Sequence, residues 1–285
     1  MRERPRWRKL LPLAVSVAVA VAVLASVDAS AVVERLKGLG PGWMLAAAAL
    51  GPLQVALGGW RWARVSRALG VPLDTRSAIA EYGLSTGLNQ VLPSGVAGDA
   101  VRVWRQRGHG LRAAAHAAVV DRALGLGSLV LVTALSLPFW GDAPGTWSRV
   151  GAVAVVALLG LGLLLSPAGA ATRGLLAADG PMQIVLSGTL TGSFLLGFGL
   201  AGQAVGVAPG DWLLTAVPWL LLAMAVPLSF AGWGIREASA ALVWPWLART
   251  PDEGVAVAAA YGVSVLVGAL PGLLFWGWAR PEEAP

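Results

Sequence analysis

Pro93-Ser-Gly-Val-Ala97-Gly98-Asp99-Ala-Val-Arg102 places a proline, two glycines, an acid and an arginine inside a stretch that is otherwise apolar. The same spacing returns at Pro227-Leu-Ser-Phe-Ala231-Gly232-Trp233-Gly234-Ile-Arg236, so both stretches read P-x3-A-G-x3-R, 134 positions apart. Apolar segments broken by Gly and Pro at corresponding places in two halves of a chain mark an internally duplicated transport architecture, whose broken helices meet near the bilayer midplane.

The rest of the sequence supplies the membrane setting. Of 285 residues, 56% are hydrophobic and 13% charged, against roughly a quarter charged in soluble domains. The absence of cysteine excludes disulfides, thiolate nucleophiles, iron–sulfur clusters and cysteine-built zinc sites. His109 and His116 lie seven apart and read as interfacial decoration; two histidines are too few for most histidine metal sites, so no metal and no cofactor is expected. The net charge of +6 arises from 19 Arg and 2 Lys against 15 acids, concentrated between apolar runs. In a soluble protein that balance would suggest nucleic acid; here it reads as topology and contact with anionic lipid headgroups.

Six apolar runs are long enough to be read as spans: Leu10 to Val27, Trp43 to Trp60, Ala113 to Trp140, Val150 to Leu165, Met182 to Val205 and Val255 to Trp278. The first follows Arg2, Arg4, Arg6, Arg8 and Lys9 and is read as a retained helix rather than a signal peptide, with the N-terminus cytoplasmic. The second returns to Arg61, Arg64, Arg67 and Arg76 on the cytoplasmic side. If Ala78 to Val101 crossed the membrane, the next cluster, Arg102, Arg105, Arg107 and Arg112, would fall outside; a hairpin that enters and returns on one side avoids that conflict.

Trp212 to Trp246, with few flanking charges, reads either as a second re-entrant hairpin or as two ordinary spans. The expected fold is an all-α polytopic membrane protein with about six spanning helices and two re-entrant hairpins in an inverted repeat. It forms one transmembrane domain over residues 1–285, with halves at about 10–140 and 150–278. Trp60, Trp62, Trp104, Trp140, Trp147, Trp212 and Trp278 are expected to anchor segment ends at the interface.

Charges inside such segments cost about 2.5 to 3.5 kcal/mol each on insertion scales, which makes them functional candidates. Asp99 and Arg102, three apart, share a helix face and can neutralise each other; alternatively Arg102 snorkels to the interface and enforces topology. Arg105 and Arg107 read as topological. Asp121 and Arg122 either line a hydrophilic cavity beside Asp99 and Arg102 or sit at headgroup level. Glu81 and Asn89 precede the first turn, and Asn89 is a candidate partner for backbone freed at the break.

Pro93, Gly95, Gly98, Pro227, Gly232 and Gly234 are the expected turn formers. Arg236 and Glu237, adjacent on a helix, should each need a separate partner, while the amides of that helix N-terminus should be open to an anion such as a lipid phosphate. Enzyme signatures are weak: Ser94 with a distant His116 is a poor case for an intramembrane hydrolase. No D-x-x-D metal motif and no Gly-rich phosphate loop ending in Lys-Ser or Lys-Thr is present. The expectation is a carrier, not an enzyme.

Asn89-Gln-Val-Leu-Pro93-Ser-Gly-Val-Ala-Gly98-Asp99-Ala-Val-Arg102, followed by Asp121-Arg122, resembles the N-x-x-L-P…G-D-x-x-R…R signature of the flippase-like family. That family comprises the transmembrane region of lysylphosphatidylglycerol synthases and its stand-alone relatives. Gly234-Ile-Arg236-Glu237-Ala resembles its second signature, although the family's Pro-Gly-Gly type turn is here Pro227-Leu-Ser-Phe-Ala-Gly232-Trp-Gly234. The resemblance, from about residue 10 to 278, implies a lipid-translocating domain of the cell (inner or plasma) membrane. Asp99, Arg102, Arg236 and Glu237 would line the headgroup path. No aminoacyl-transferase domain follows the last apolar run, so lysyl-lipid synthesis is not expected.

The leading expectation is therefore a flippase-like lipid translocase that moves or binds a phospholipid or lipid-linked headgroup, with Asp99, Arg102, Asp121, Arg122, Arg236 and Glu237 as candidate site residues. The alternative is a non-transporting membrane partner that presents a lipid-linked carrier to a cell-envelope glycosyltransferase. Expected partners are membrane lipids, not nucleic acid, with a homodimer or an envelope-synthesis protein as further options.

Overall fold

The computed structural model describes residues 14–277, except 15, 16, 20, 24, 93–96, 141–144 and 226–230, and not the side chains of 145–150. Pro93, Ser94, Gly95, Pro227, Trp278 and Arg280, and the Trp147 side chain, lie outside the described residues. What is described contains helices and turns only. The helices are α1 (Ala29–Lys37), α2 (Pro41–Ala68), α3 (Thr75–Val91), α4 (Ala97–Arg105), α5 (Leu111–Ser136), α6 (Gly145–Leu165), α7 (Pro167–Ala204), α8 (Trp212–Thr215), α9 (Val217–Met224), α10 (Ile235–Val243) and α11 (Pro251–Ala269). The described residues between 14 and 26 are also helical.

Local chemistry sets the helix starts. α2, α7 and α11 each begin on a proline, whose missing N–H costs nothing in the first turn. Asp74 caps α3 by accepting the Arg76 and Ser77 amides at 2.9 and 3.1 Å. Ser166 Oγ caps α7 by accepting the Gly169 amide at 2.9 Å.

Among the described residues, four segments have the length and apolarity to cross a membrane: Pro41–Ala68, Leu111–Phe139, Pro167–Ala204 and Pro251–Trp276; Gly151–Leu165 and Trp212–Met224 are shorter apolar helices. Exposed Leu158, Leu161, Leu164 and Leu165 on α6 suit a hydrocarbon surround. This is an all-helical, multi-pass membrane protein.

α7 begins well before the expected span at 182, running 38 residues through a break at Asp179 (φ −140°). The break immediately precedes Gly180-Pro181, where the proline ring prevents a regular helix. The Asp179 carboxylate is fastened at this break by Arg64 Nε at 2.7 Å and by Gln183 Nε2 at 2.9 Å.

Residues 97–102 of the stretch that opened the sequence analysis belong to α4, which packs antiparallel to α3. Glu81 pairs with Arg105 at 2.8 Å, the Ser85 hydroxyl donates to Asp99 at 3.2 Å, and Asn89 Oδ1 accepts the Gly98 amide at 2.7 Å. As positions on α3 rise, their partners on α4 fall. A Cβ on residue 98 would collide with the Ser85 carbonyl, so only glycine allows this approach.

The second copy of the pattern is built differently. Its helix, α10, begins only at Ile235, after a turn in which Ala231, Gly232 and Gly234 have φ of +50°, +81° and +83°. Its arginine therefore lies in the first turn of a helix, whereas Arg102 lies in the last turn of α4. The letters repeat; the local backbone does not.

α2 runs through the middle of the bundle against α3, α5, α7 and α11. Gly51 of α2 and Gly268 of α11 bring two backbones together, the small-residue crossing typical of membrane helices. Several tryptophans expected at the interface are instead core residues. Trp62 and Trp212 are fully buried; Trp212 packs on Trp244 at 5.4 Å, and buried Trp140 lies 5.0 Å from Trp219 and 4.9 Å from Trp246. Their indoles found aromatic neighbours or a cation within the protein, which position along the sequence does not reveal. Trp60 and Trp104 are exposed, as an anchoring role requires.

Candidate functional site

Arg102 is 1% exposed although it carries a full charge. Burying an unpaired ion would cost several kcal/mol, and the surrounding helices supply its compensation. Its Nη2 lies 3.0 Å from Asp99 Oδ1 one turn back on α4, and Nη1 and Nη2 both lie 3.4 Å from Asp121 Oδ2 on α5. The guanidinium stacks over the Trp62 ring of α2 at 4.0 Å and faces Tyr82 of α3 at 5.3 Å, an arrangement that favours a desolvated cation. The local Asp99–Arg102 pair follows from their three-residue spacing, and the snorkelling alternative does not describe this side chain.

Asp121 is a hub. Its other oxygen accepts Arg61 Nε at 2.9 Å, and Arg61 also reaches the Asp121 carbonyl and Ser187 Oγ, each at 3.4 Å. Asp99 is a second hub. Its Oδ1 takes Arg102 and Ser85, while Oδ2 takes Arg122 through Nε at 2.9 Å and through Nη2. Three guanidinium groups against two carboxylates leave this cluster with one formal positive charge.

The cluster lines a cavity of about 230 Å³ together with Tyr82, Ser85, Thr86 and Asn89. Beside it lies a second cavity of about 290 Å³, lined mainly by apolar groups such as Val55, Leu221, Met224 and Val265. Tyr82, Thr86, Leu129, Leu190 and Phe194 border both. One polar, positively charged chamber thus adjoins one oily chamber across a shared wall.

Asp99, Arg102, Asp121 and Arg122 are brought together here; Arg236 and Glu237 are not. Arg236, also 1% exposed, donates to Glu237 Oε1 from Nε at 3.0 Å and from Nη2 at 2.6 Å. It stacks over Trp233 at 4.7 Å, and its guanidinium lies in the notch left by Gly262 of α11. Neither residue borders either cavity. The expectation that each would need a separate partner fails because Glu237, in the first turn, folds back: its Oε2 accepts the Gly234 amide at 2.7 Å, which carries the carboxylate beside Arg236. The same contact occupies an amide expected to be open to a phosphate.

Sequence reasoning missed Arg61 and Arg105. Arg61 was grouped with Arg64, Arg67 and Arg76 as a topological cluster, yet it is buried against Asp121. Arg105 is held by Glu81 rather than left at the surface, whereas Arg107 is exposed and stacks on its neighbour Trp104. The charge of Glu81 inside an apolar run was the available signal that one of the following arginines would fold back.

A family profile described as the lysylphosphatidylglycerol synthase TM region matches residues 9–272, nearly the whole chain. No curated protein and no solved structure gives a match.

Proposed function

The chain belongs to the family of the lysylphosphatidylglycerol synthase TM region, and from that premise we propose that it is a flippase-like carrier, not an enzyme, that takes an anionic lipid headgroup into the cavity beside Arg102. The observation that carries this proposal is the pair of adjoining chambers. An amphiphile needs a polar compartment for its head and an apolar one for its chain, and here the two share a wall. A surplus positive charge suits a phosphate, and guanidinium groups engage phosphate oxygens in pairs.

In this reading Arg61, Arg102 and Arg122 bind the headgroup, while Asp99 and Asp121 offset two of their three charges when the site is empty. Arg236 and Glu237 hold the start of α10 against α11 and have a supporting role. The antiparallel α3–α4 pair enters and leaves on the cytoplasmic side as a re-entrant hairpin, and α8–α10 forms its counterpart from the opposite face. The protein resides in the cell membrane with its N-terminus cytoplasmic, and a gradient or downhill lipid movement drives it.

The test is translocation of fluorescent anionic, zwitterionic and cationic lipids in proteoliposomes. Wild type should move the anionic lipid, Arg61→Gln and Arg102→Ala should abolish that movement, and folded Arg236→Ala should retain it. If wild type exceeds empty vesicles for none of the three lipids, the transport proposal fails and a role in presenting a lipid-linked carrier to a glycosyltransferase takes its place.

A further inference from the structure

The Asp99–Arg122 pair borders two spaces. One is the charged cavity; the other is an open groove of about 410 Å³ between α4 and α5. The groove is floored by Ala100, Val103, Leu111, Ala115, Ala118 and Val119, and Trp104 stands at its rim. Arg122 is the guanidinium that faces outward: its side chain is 46% exposed, against 1% for Arg102.

We infer that this groove is an outer docking site for a membrane phospholipid with an anionic phosphodiester headgroup, its phosphate received by Arg122 and one acyl chain lying on the apolar floor. The inference rests on the reading of the inner cavity as a headgroup site and extends it to the route of entry. Three observations favour this occupant. The charge offered is a guanidinium above an apolar bed, complementary to a lipid with an anionic head and not to water alone. Exposed Trp104, with the Arg107 guanidinium 4.5 Å from its ring centroid, gives the rim the make-up of a headgroup-level belt. The Asp99–Arg122 pair also borders both the groove and the inner cavity, so it forms part of the wall between them.

The bonding of Asp99 makes that wall exchangeable. Oδ1 is held on the inner side by Arg102 and Ser85, while Oδ2 is held by Arg122. A phosphate that takes the place of Oδ2 on Arg122 leaves Asp99 still bonded to Arg102 and Ser85. Each charge keeps an opposite partner while the path inward opens.

The experiment uses the full chain in vesicles containing photoreactive phosphatidylglycerol or, separately, photoreactive phosphatidylcholine, with crosslinks mapped by mass spectrometry. The anionic probe should label α4 and α5 at the groove, and Arg122→Gln should lower that labelling at least about tenfold. Val119→Trp, at an exposed position that touches no ion pair, should block it by volume alone. Arg107→Gln should leave most of it. Equal labelling by the zwitterionic probe, or labelling unchanged in both folded Arg122→Gln and Val119→Trp, would overturn the outer site. Translocation that still depends on Arg61 would then leave the inner reading standing. Groove labelling that depends on Arg122 in a chain that moves no lipid would uphold the outer site and overturn transport alone.

Discussion

Arg61 Nε and Asp121 Oδ1 lie 2.9 Å apart, 60 residues from each other in sequence and both buried, so the ion pair ties α2 to α5 in the wall of the charged cavity. Asp121 also neutralises Arg102, and its two oxygens therefore serve two helices besides its own.

Removing that carboxylate strands the Arg61 guanidinium and leaves Arg102 with Asp99 alone. Asp121→Asn is expected to cost about 3–5 kcal/mol, the range for breaking a buried pair, and Arg61→Met less, because Asp121 keeps Arg102. Denaturant unfolding in mixed micelles gives the order; an Arg61 variant less stable than the Asp121 variant contradicts the hub.

Gly98 allows α4 to touch the backbone of α3. Gly98→Ala should destabilise by about 1–3 kcal/mol through overpacking against Ser85 and should raise hydrogen exchange in α4 as the Asn89 contact is lost. Gly188, with nothing within 4 Å of its would-be Cβ, is the control. There alanine should be neutral or stabilising by up to about 1 kcal/mol.

The notch at Gly262 admits the Arg236 guanidinium. Gly262→Ala should cost about 1–3 kcal/mol, and combining it with Arg236→Gln should give a non-additivity of about 0.5 kcal/mol or more, because the shorter side chain vacates the notch. Strict additivity in the unfolding cycle would place Arg236 elsewhere.

Asp74 supplies a pH signature outside the spans. Hydrogen bonds from the Ser77 hydroxyl and amide, with a further bond from the Arg76 amide, hold its carboxyl below the ordinary value despite slight burial. A carboxyl with a lowered folded value stabilises above its unfolded value and loses that contribution as pH falls through the folded one. Protection of the first turn of α3 should therefore fade on acidification below the ordinary carboxylate range. In Asp74→Ala that protection should be weak already at neutral pH and should lose this acid dependence, as measured by pH-resolved hydrogen exchange.

What could be seen from sequence was local. Asp99 and Arg102 are one helical turn apart, and Asn89 lies close enough to the break to meet the Gly98 amide, so both contacts follow from spacing. Arg61 was hidden because its partner is on another helix and because three nearby arginines made it look like a boundary marker. Arg236 and Glu237 were misjudged by applying a rule for helix interiors to a helix start, where a side chain is free to bend back to its own cap. Trp62 looked like an interfacial residue because nothing in its neighbourhood announces that Arg102 will come to rest on its ring.

The odd charge of the cluster has an electrical consequence. Three guanidinium groups and two carboxylates carry one unit when alone and none once a monoanion is held. Any movement of the empty assembly through the membrane field is therefore worth about 2.3 kcal/mol per 100 mV for each full crossing. In the proposed carrier, a filled assembly making the same movement would carry no net charge. Voltage would then act on the return stroke and leave the loaded one alone.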